Sequence, residues 1–189
     1  MEETNNERIS AVLRFLEEHG LEYVIVHHPH LFTIEEALPF WEAQESLKGC
    51  THCKNLFLRN HSGKRHYLVT MECHKSLNFV QLQKIIREGK LTFASEERME
   101  RCLGLQPGSV SPLGLIHDMD LKDANPRELF ENGHRVKFFV DKDLKDAAMM
   151  SFHPCDNTAS VALKNAEFHR FLEIWGGEVE WFEMLPEEE

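Results

Sequence analysis

The stretch that decides the fold is Asn55-Leu56-Phe57-Leu58-Arg59-Asn60-His61-Ser62-Gly63-Lys64-Arg65-His66-Tyr67-Leu68-Val69-Thr70. Two apolar runs, Asn55 to Arg59 and His66 to Thr70, flank His61-Ser62-Gly63-Lys64, where a glycine among small polar residues lets the chain reverse tightly. That pattern predicts a β-hairpin and makes a sheet the centre of the protein.

The signals on either side surround this hairpin with mixed elements. Upstream, Thr4 and Glu7 form a capping box, Ile9, Val12, Leu13 and Leu16 follow at helical spacing, and Gly20 closes a helix within residues 1–20. Tyr23 to Val26 reads as a buried strand. Thr33 and Glu36 repeat the capping pattern for a helix through about Ala43, and Leu47 to Cys53 reads as a loop. Downstream, Phe79, Leu82, Ile85 and Ile86 mark a helix ending at Gly89, Ser95 with Glu96 and Glu97 opens another that stops at Gly104, and Gln106 to Leu115 is rich in turn residues. Strands are expected at Val136 to Val140, Met149 to Phe152 and Ala159 to Leu163. Asn165 caps a last helix with Phe168, Phe171, Leu172 and Trp175 on one face, and Glu178 to Phe182 alternates as a half-buried strand. The helices do not fall in regular βαβ order. The expected class is therefore α/β (α+β), a mixed, partly closed β-barrel-like sheet surrounded by helices.

With 189 residues, 42% of them hydrophobic, the chain suits a single domain over 1–189, with an acidic tail at 184–189. No apolar run approaches the roughly 18 residues that span a bilayer, and Met1 to Ser10 is polar and acidic, unlike a secretory signal. A cytoplasmic protein with no membrane partner is expected. Five cysteines, an odd number without an export signal, favour reduced thiols. The net charge of −11 argues against a nucleic-acid partner until its distribution is read. Between Lys48 and Lys90 nine basic residues face only Glu72 and Glu88, a local +7, while seven glutamates and no lysine or arginine follow Arg170. This segment can hold a polyanion, or its cations can be ordinary solvated faces.

Several motifs could carry chemistry. Lys54-Asn55 at the start of an apolar strand can hold a phosphate or polarise a carbonyl, unless the lysine simply reaches solvent. Gly108-Ser109-Val110-Ser111-Pro112 can present backbone amides to an oxyanion, or serve as a tight connector. Phe152-His153-Pro154 with Asn157 sets an imidazole beside a turn, where it can donate, shape a pocket or act as a base. Cys50-x-x-Cys53 with His52, and Cys73-His74 beyond it, lack the second spaced ligand pair of a structural zinc site and the strand-to-helix setting of a redox motif. No metal or other cofactor is expected. Phosphate-loop, dinucleotide and serine-elbow patterns are missing from the sequence, which withdraws the usual supports for nucleotide hydrolysis, hydride transfer and serine hydrolysis.

Taken together and in order, Lys54-Asn55-Leu56-Phe57-Leu58, Phe93-Ala94-Ser95-Glu96, Leu103-Gly104, Gly108 to Pro112, Asp141-Lys142-Asp143-Leu144 and Phe152-His153-Pro154-x-x-Asn157-Thr158 resemble the freestanding prolyl-tRNA editing proteins of the YbaK and synthetase-associated editing-domain family. The resemblance covers about Gly20 to Glu183. It implies a trans-editing deacylase that hydrolyses the ester of mischarged tRNA(Pro), with alanine as the amino acid removed. It also implies site residues: Lys54, Asn55 and His153 for catalysis, and Gly108, Ser109, Val110, Ser111, Pro112, Phe152 and Asn157 for the aminoacyl end. Arg59, Lys64 and Arg65, from the basic segment, are the expected tRNA contacts. The implied partners are the tRNA(Pro) acceptor end and prolyl-tRNA synthetase. A deacylase for cysteinyl-tRNA or another small residue, and an inert tRNA-binding adaptor, are the alternatives.

Overall fold

The computed structural model describes residues 2–31, 33–119, 121–122 and 124–184. In chain order its elements are helix α1 (Glu2–Glu18), strand β1 (Val24–His27), helix α2 (Ile34–Glu42), strands β2 (Thr51–Asn60) and β3 (His66–Glu72), helix α3 (Phe79–Ile86), strand β4 (Leu91–Phe93) and helix α4 (Glu96–Leu103). They continue as a 3-10 segment at Pro112–Asp118, strands β5 (Val136–Asp141), β6 (Met149–Phe152) and β7 (Ala159–Lys164), helix α5 (Asn165–Trp175) and strand β8 (Val179–Phe182).

The expected hairpin is the middle of the sheet. Strands β2 and β3 pair antiparallel from Cys53↔Glu72 to Arg59↔His66, with Gly63 at φ +70° in the turn. Alternation then splits their side chains between two cores. Phe57 and Leu68 pack with Phe138, Phe152 and Phe168 on one face, while Leu58 and Tyr67 pack with Leu82 and Ile86 of α3 on the other. The eight-stranded order is β1-β7-β6-β2-β3-β5-β8, with β4 set against β2 beside this path. The sheet is mixed, as expected, but it does not close into a barrel: β1 and β8 are its two ends. Strand β2, on its side away from β3, is shared between two short strands. Thr51 and His52 pair with β6, Leu58 to Asn60 pair with β4, and Cys53 to Leu56 have no strand partner there among the described residues.

Other departures from the expected elements are local. Helix α1 begins at Glu2, so Thr4 lies within it instead of capping it, and the Thr4 side chain is outside the described residues. Most of the acidic tail, 185–189, is likewise outside them. Thr51 to Cys53 belong to β2 and not to a loop, β4 was not anticipated, and α3 ends on Arg87 at φ +57°, two residues before Gly89. Asn165 is the first residue of α5, and its Nδ2 donates to the Lys145 carbonyl at 2.9 Å instead of serving as the cap. Thr33 does cap α2, accepting the Glu36 amide at 3.2 Å.

His66 ties the hairpin to α4. Its Nε2 accepts from Arg98 at 2.8 Å and its Nδ1 is buried without a partner. Burial, and then the Arg98 charge, push its pKa from 6.5 down to about 4. Below pH 6.5 the unfolded chain binds a proton that the folded ring resists. Stability is therefore fully present above that value and drains away as the pH falls toward about 4. A shift of this size corresponds to roughly 3 kcal/mol. Urea unfolding at pH 7 and pH 4.5 should show the parent losing about 2 kcal/mol more than His66→Gln, and equal losses would clear His66 of this role.

Candidate active site

The unpaired span of β2 is where the site forms. Strand β6 runs parallel to β2 in the register His52↔Ser151, so continuing it would set His153 level with Lys54. Pro154 has no N–H to continue a ladder, and the chain turns away before β7 begins at Ala159. At the other end β4 has only three residues before Ser95 opens α4. The Ala94 amide donates to the Phe57 carbonyl at 2.9 Å, while the His52 carbonyl accepts from Cys73 on the β3 side. Backbone groups alternate along a strand, so Asn55 and Cys53, like Phe57, turn their N–H and C=O groups toward the gap.

A cavity of about 310 Å³ opens at this gap. Lys54 and Asn55 line it from β2, Gly108 and Val110 from the loop after α4, and His153 and Asn157 from the β6–β7 turn. Six of the expected site residues, from three separate segments, thus share one wall system. The Lys54 ammonium donates to the carbonyl of Lys75. The Asn55 Oδ1 accepts from Thr70 Oγ1 at 2.6 Å, which orients the amide and leaves its Nδ2 as a donor. His153 donates Nδ1–H to the Ala159 carbonyl at 3.1 Å, which leaves Nε2 as an acceptor. Burial lowers the His153 pKa below 6.5 and keeps the ring neutral. Asn157 donates Nδ2–H to the Leu31 carbonyl at 2.8 Å.

The remaining expected residues lie elsewhere. Ser109 is buried beside the cavity without lining it. Ser111 accepts the Leu113 amide at 3.1 Å and caps the 3-10 segment that Pro112 begins, so both serve the loop's own shape. Phe152 stacks on Phe168 at 5.2 Å in the core. Arg59, Lys64 and Arg65 sit at the hairpin end, five or more strand residues from Lys54, roughly 17 Å or more. Arg65 donates to the Leu129 carbonyl at 2.5 Å and lies over the Phe130 ring, while Lys64 is exposed.

Helix α2 supplies a wall that the motifs did not indicate: Thr33, Ile34, Ala37 and Trp41 line the cavity, with Leu31 before them and Cys53 opposite. Trp41 stacks on His52 with ring centroids 3.9 Å apart. Burial raises the thiol pKa values of Cys50 to about 12 and of Cys53 well above 9.0, which keeps both protonated and unreactive. Glu72, Cys73 and His74 bring one ligand atom each within 4.8 Å of the others. That grouping follows from a turn, because the Glu72 carboxylate accepts the His74 and Lys75 amides at 2.9 and 3.1 Å.

The sequence model of the aminoacyl-tRNA editing domain matches residues 28–171. The prolyl-tRNA editing protein ProX of Acetoanaerobium sticklandii is 30% identical over 167 residues, covering 88% of this chain and 91% of its own. Prolyl-tRNA synthetase associated domain-containing protein 1 of Mus musculus is 33% identical over 155 residues, covering 80% and 82%. A crystal structure of a proposed trans-editing enzyme for prolyl-tRNA synthetase superposes with a TM-score of 0.61 at 18% identity, over 94% of this chain and 97% of that one.

Proposed function

The chain belongs to the aminoacyl-tRNA editing domain family, and from that premise we propose that it is a trans-acting deacylase that hydrolyses the ester of mischarged tRNA(Pro), with alanine as the amino acid removed. Residues 1–189 act as one editing domain in the cytoplasm, on tRNA already charged by prolyl-tRNA synthetase. The observation that carries the reading is the single cavity shared by Lys54, Asn55, Gly108, Val110, His153 and Asn157.

An aminoacyl ester is already activated, so the site has to position it, stabilise the developing oxyanion and admit a water. Asn55 offers its side-chain Nδ2 and a backbone N–H turned to the gap, and the loop at Gly108 and Val110 brings further backbone to the same cavity. Lys54 adds positive charge. His153 holds a neutral ring whose Nε2 can orient the water or the terminal ribose 2′-OH. No carboxylate lines the cavity among the described residues, so the substrate's own 2′-OH is the natural assistant. The volume is at the small end of ligand sites, about 300–1,000 Å³, and exclusion of cognate proline is assigned to a steric sieve.

Turnover of alanyl-tRNA(Pro) by the pure protein tests the reading. Hydrolysis of that substrate ahead of seryl-, cysteinyl- and prolyl-tRNA supports it, preference for cysteinyl-tRNA moves the substrate, and binding without hydrolysis leaves an adaptor. The pH profile gives a second check. Because the His153 pKa is lowered, its neutral form persists as the pH falls through the ordinary imidazole range, and single-turnover rates, corrected for uncatalysed hydrolysis and for titration of the substrate α-ammonium at about 7.7–8.0, should show no acid limb at 6.5. An acid limb centred at 6.5 that disappears in His153→Gln would overturn the neutral-ring reading.

A further inference from the structure

Asn157 is buried, with 6% of its surface exposed, and it lines the cavity. Its amide is pinned from the nitrogen side, where Nδ2 donates to the Leu31 carbonyl. Its Oδ1 is buried and has no hydrogen-bond partner. A buried carbonyl oxygen without a donor carries an uncompensated desolvation cost, and on a residue that lines a cavity a donor arriving with the ligand can relieve it.

The chemistry around it narrows what that donor is. The neighbouring Asp156 carboxylate is taken up by Thr158, accepting its backbone amide at 3.0 Å and its hydroxyl, and it is not among the lining residues. The cavity therefore offers an ammonium no carboxylate among the described residues. It offers instead a fixed, neutral amide oxygen on the same turn as His153. An aminoacyl ester carries one strong donor next to its scissile carbonyl, the α-ammonium.

We propose that Asn157 Oδ1 accepts a hydrogen bond from the α-ammonium of the bound aminoacyl ester, and that the site is thereby selective for esters with a free α-amino group over esters that lack it. This rests on the deacylase reading above. The contact orients the ester so that its carbonyl meets the donors of Asn55, and it distinguishes an aminoacyl end from an acyl end with no donor at the α carbon.

The experiment compares alanyl-tRNA(Pro) with propionyl-tRNA(Pro), in which a hydrogen replaces the ammonium and no donor remains at the α carbon, each rate divided by its own uncatalysed rate. The parent should favour the alanyl ester by about tenfold or more in kcat/KM. Asn157→Leu should bring that preference to within about threefold of unity, chiefly by slowing the alanyl ester. Loss of the Leu31 contact slows both substrates alike, so the ratio is insensitive to general loosening of the loop. Asn157→Asp keeps an acceptor and should keep or raise the preference, which serves if the leucine variant does not fold. An active parent with no preference, or a preference unchanged in Asn157→Leu, overturns the assignment alone. A parent inert toward both esters overturns the deacylase reading and this assignment with it.

Discussion

Lys54→Ala is expected to fold as the parent does and to deacylate at least about 100-fold more slowly. Lys54 pairs with Met71 at the start of the hairpin, and its stem is only half buried, so truncation opens no core cavity. Its ammonium donates to the Lys75 carbonyl, which leaves two of its three N–H donors available. Lys75 has its own partners, the Asp141 and Asp143 carboxylates at 2.8 and 2.6 Å, so this corner keeps its ion pairs without Lys54. Removal of one charged donor from a developing oxyanion costs about 3–4 kcal/mol, whereas the folded state gives up one hydrogen bond worth about 1 kcal/mol. Lys54→Met, which keeps most of the stem, should be as slow as Lys54→Ala, because the charge and not the packing is lost. Single-turnover rates and urea unfolding on the same preparations check both halves. A folded Lys54→Ala protein that hydrolyses at the parent rate would exclude Lys54 from the site.

The parts of this site that could be read from sequence are those with a local physical cause. Gly63 between two apolar runs dictates the hairpin, and with it the placing of Lys54 and Asn55 at the start of a central strand. Gly108 and Pro154 mark places where the chain must bend, and both bends reach the cavity or flank a residue that does. The sequence could not reveal contacts made across the fold. The periodicity of α2 indicates an apolar face, but nothing in Ile34, Ala37 or Trp41 says that this face closes a cavity opened by β2. The opening itself depends on β4, three residues too short for a periodicity to register. Phe152 shows the opposite case. Neighbours on a strand point to opposite faces, so Phe152 enters the core next to Phe168 while His153 reaches the cavity. Ser111 is drawn inward by the chain's own needs, since its hydroxyl is consumed by the Leu113 amide.

Gly108→Val should abolish most hydrolysis while tRNA affinity stays within about threefold of the parent, and Gly108→Asn should remain active. The Ser109 amide donates to the Gln106 carbonyl at 3.1 Å, closing a four-residue turn with Pro107 second and Gly108 third, at φ +85°. Proline followed by a residue of positive φ is the signature of a type II turn. A Cβ built on Gly108 meets nothing within 4 Å, so the obstacle to a side chain is the backbone conformation and not space. Valine is strained at positive φ by at least the 1–2 kcal/mol typical of L-residues there, and the turn relieves that strain by opening and carrying Val110 off the cavity wall. Misplacing a positioning group by about 1 Å costs on the order of 100-fold in rate. Asparagine tolerates this region and fits the open space, so it preserves the turn and should stay within about threefold of the parent rate. Phosphate contacts supply most of a protein's affinity for a nucleic acid, and the hairpin-end cations Arg59, Lys64 and Arg65 belong to a different segment from this loop and do not line the cavity. Deacylation and tRNA binding measured on both variants decide the matter. A slow Gly108→Asn would mean that any side chain is excluded and that the substrate itself occupies the space over Gly108, while a Gly108→Val protein at the parent rate would remove the loop from the active site.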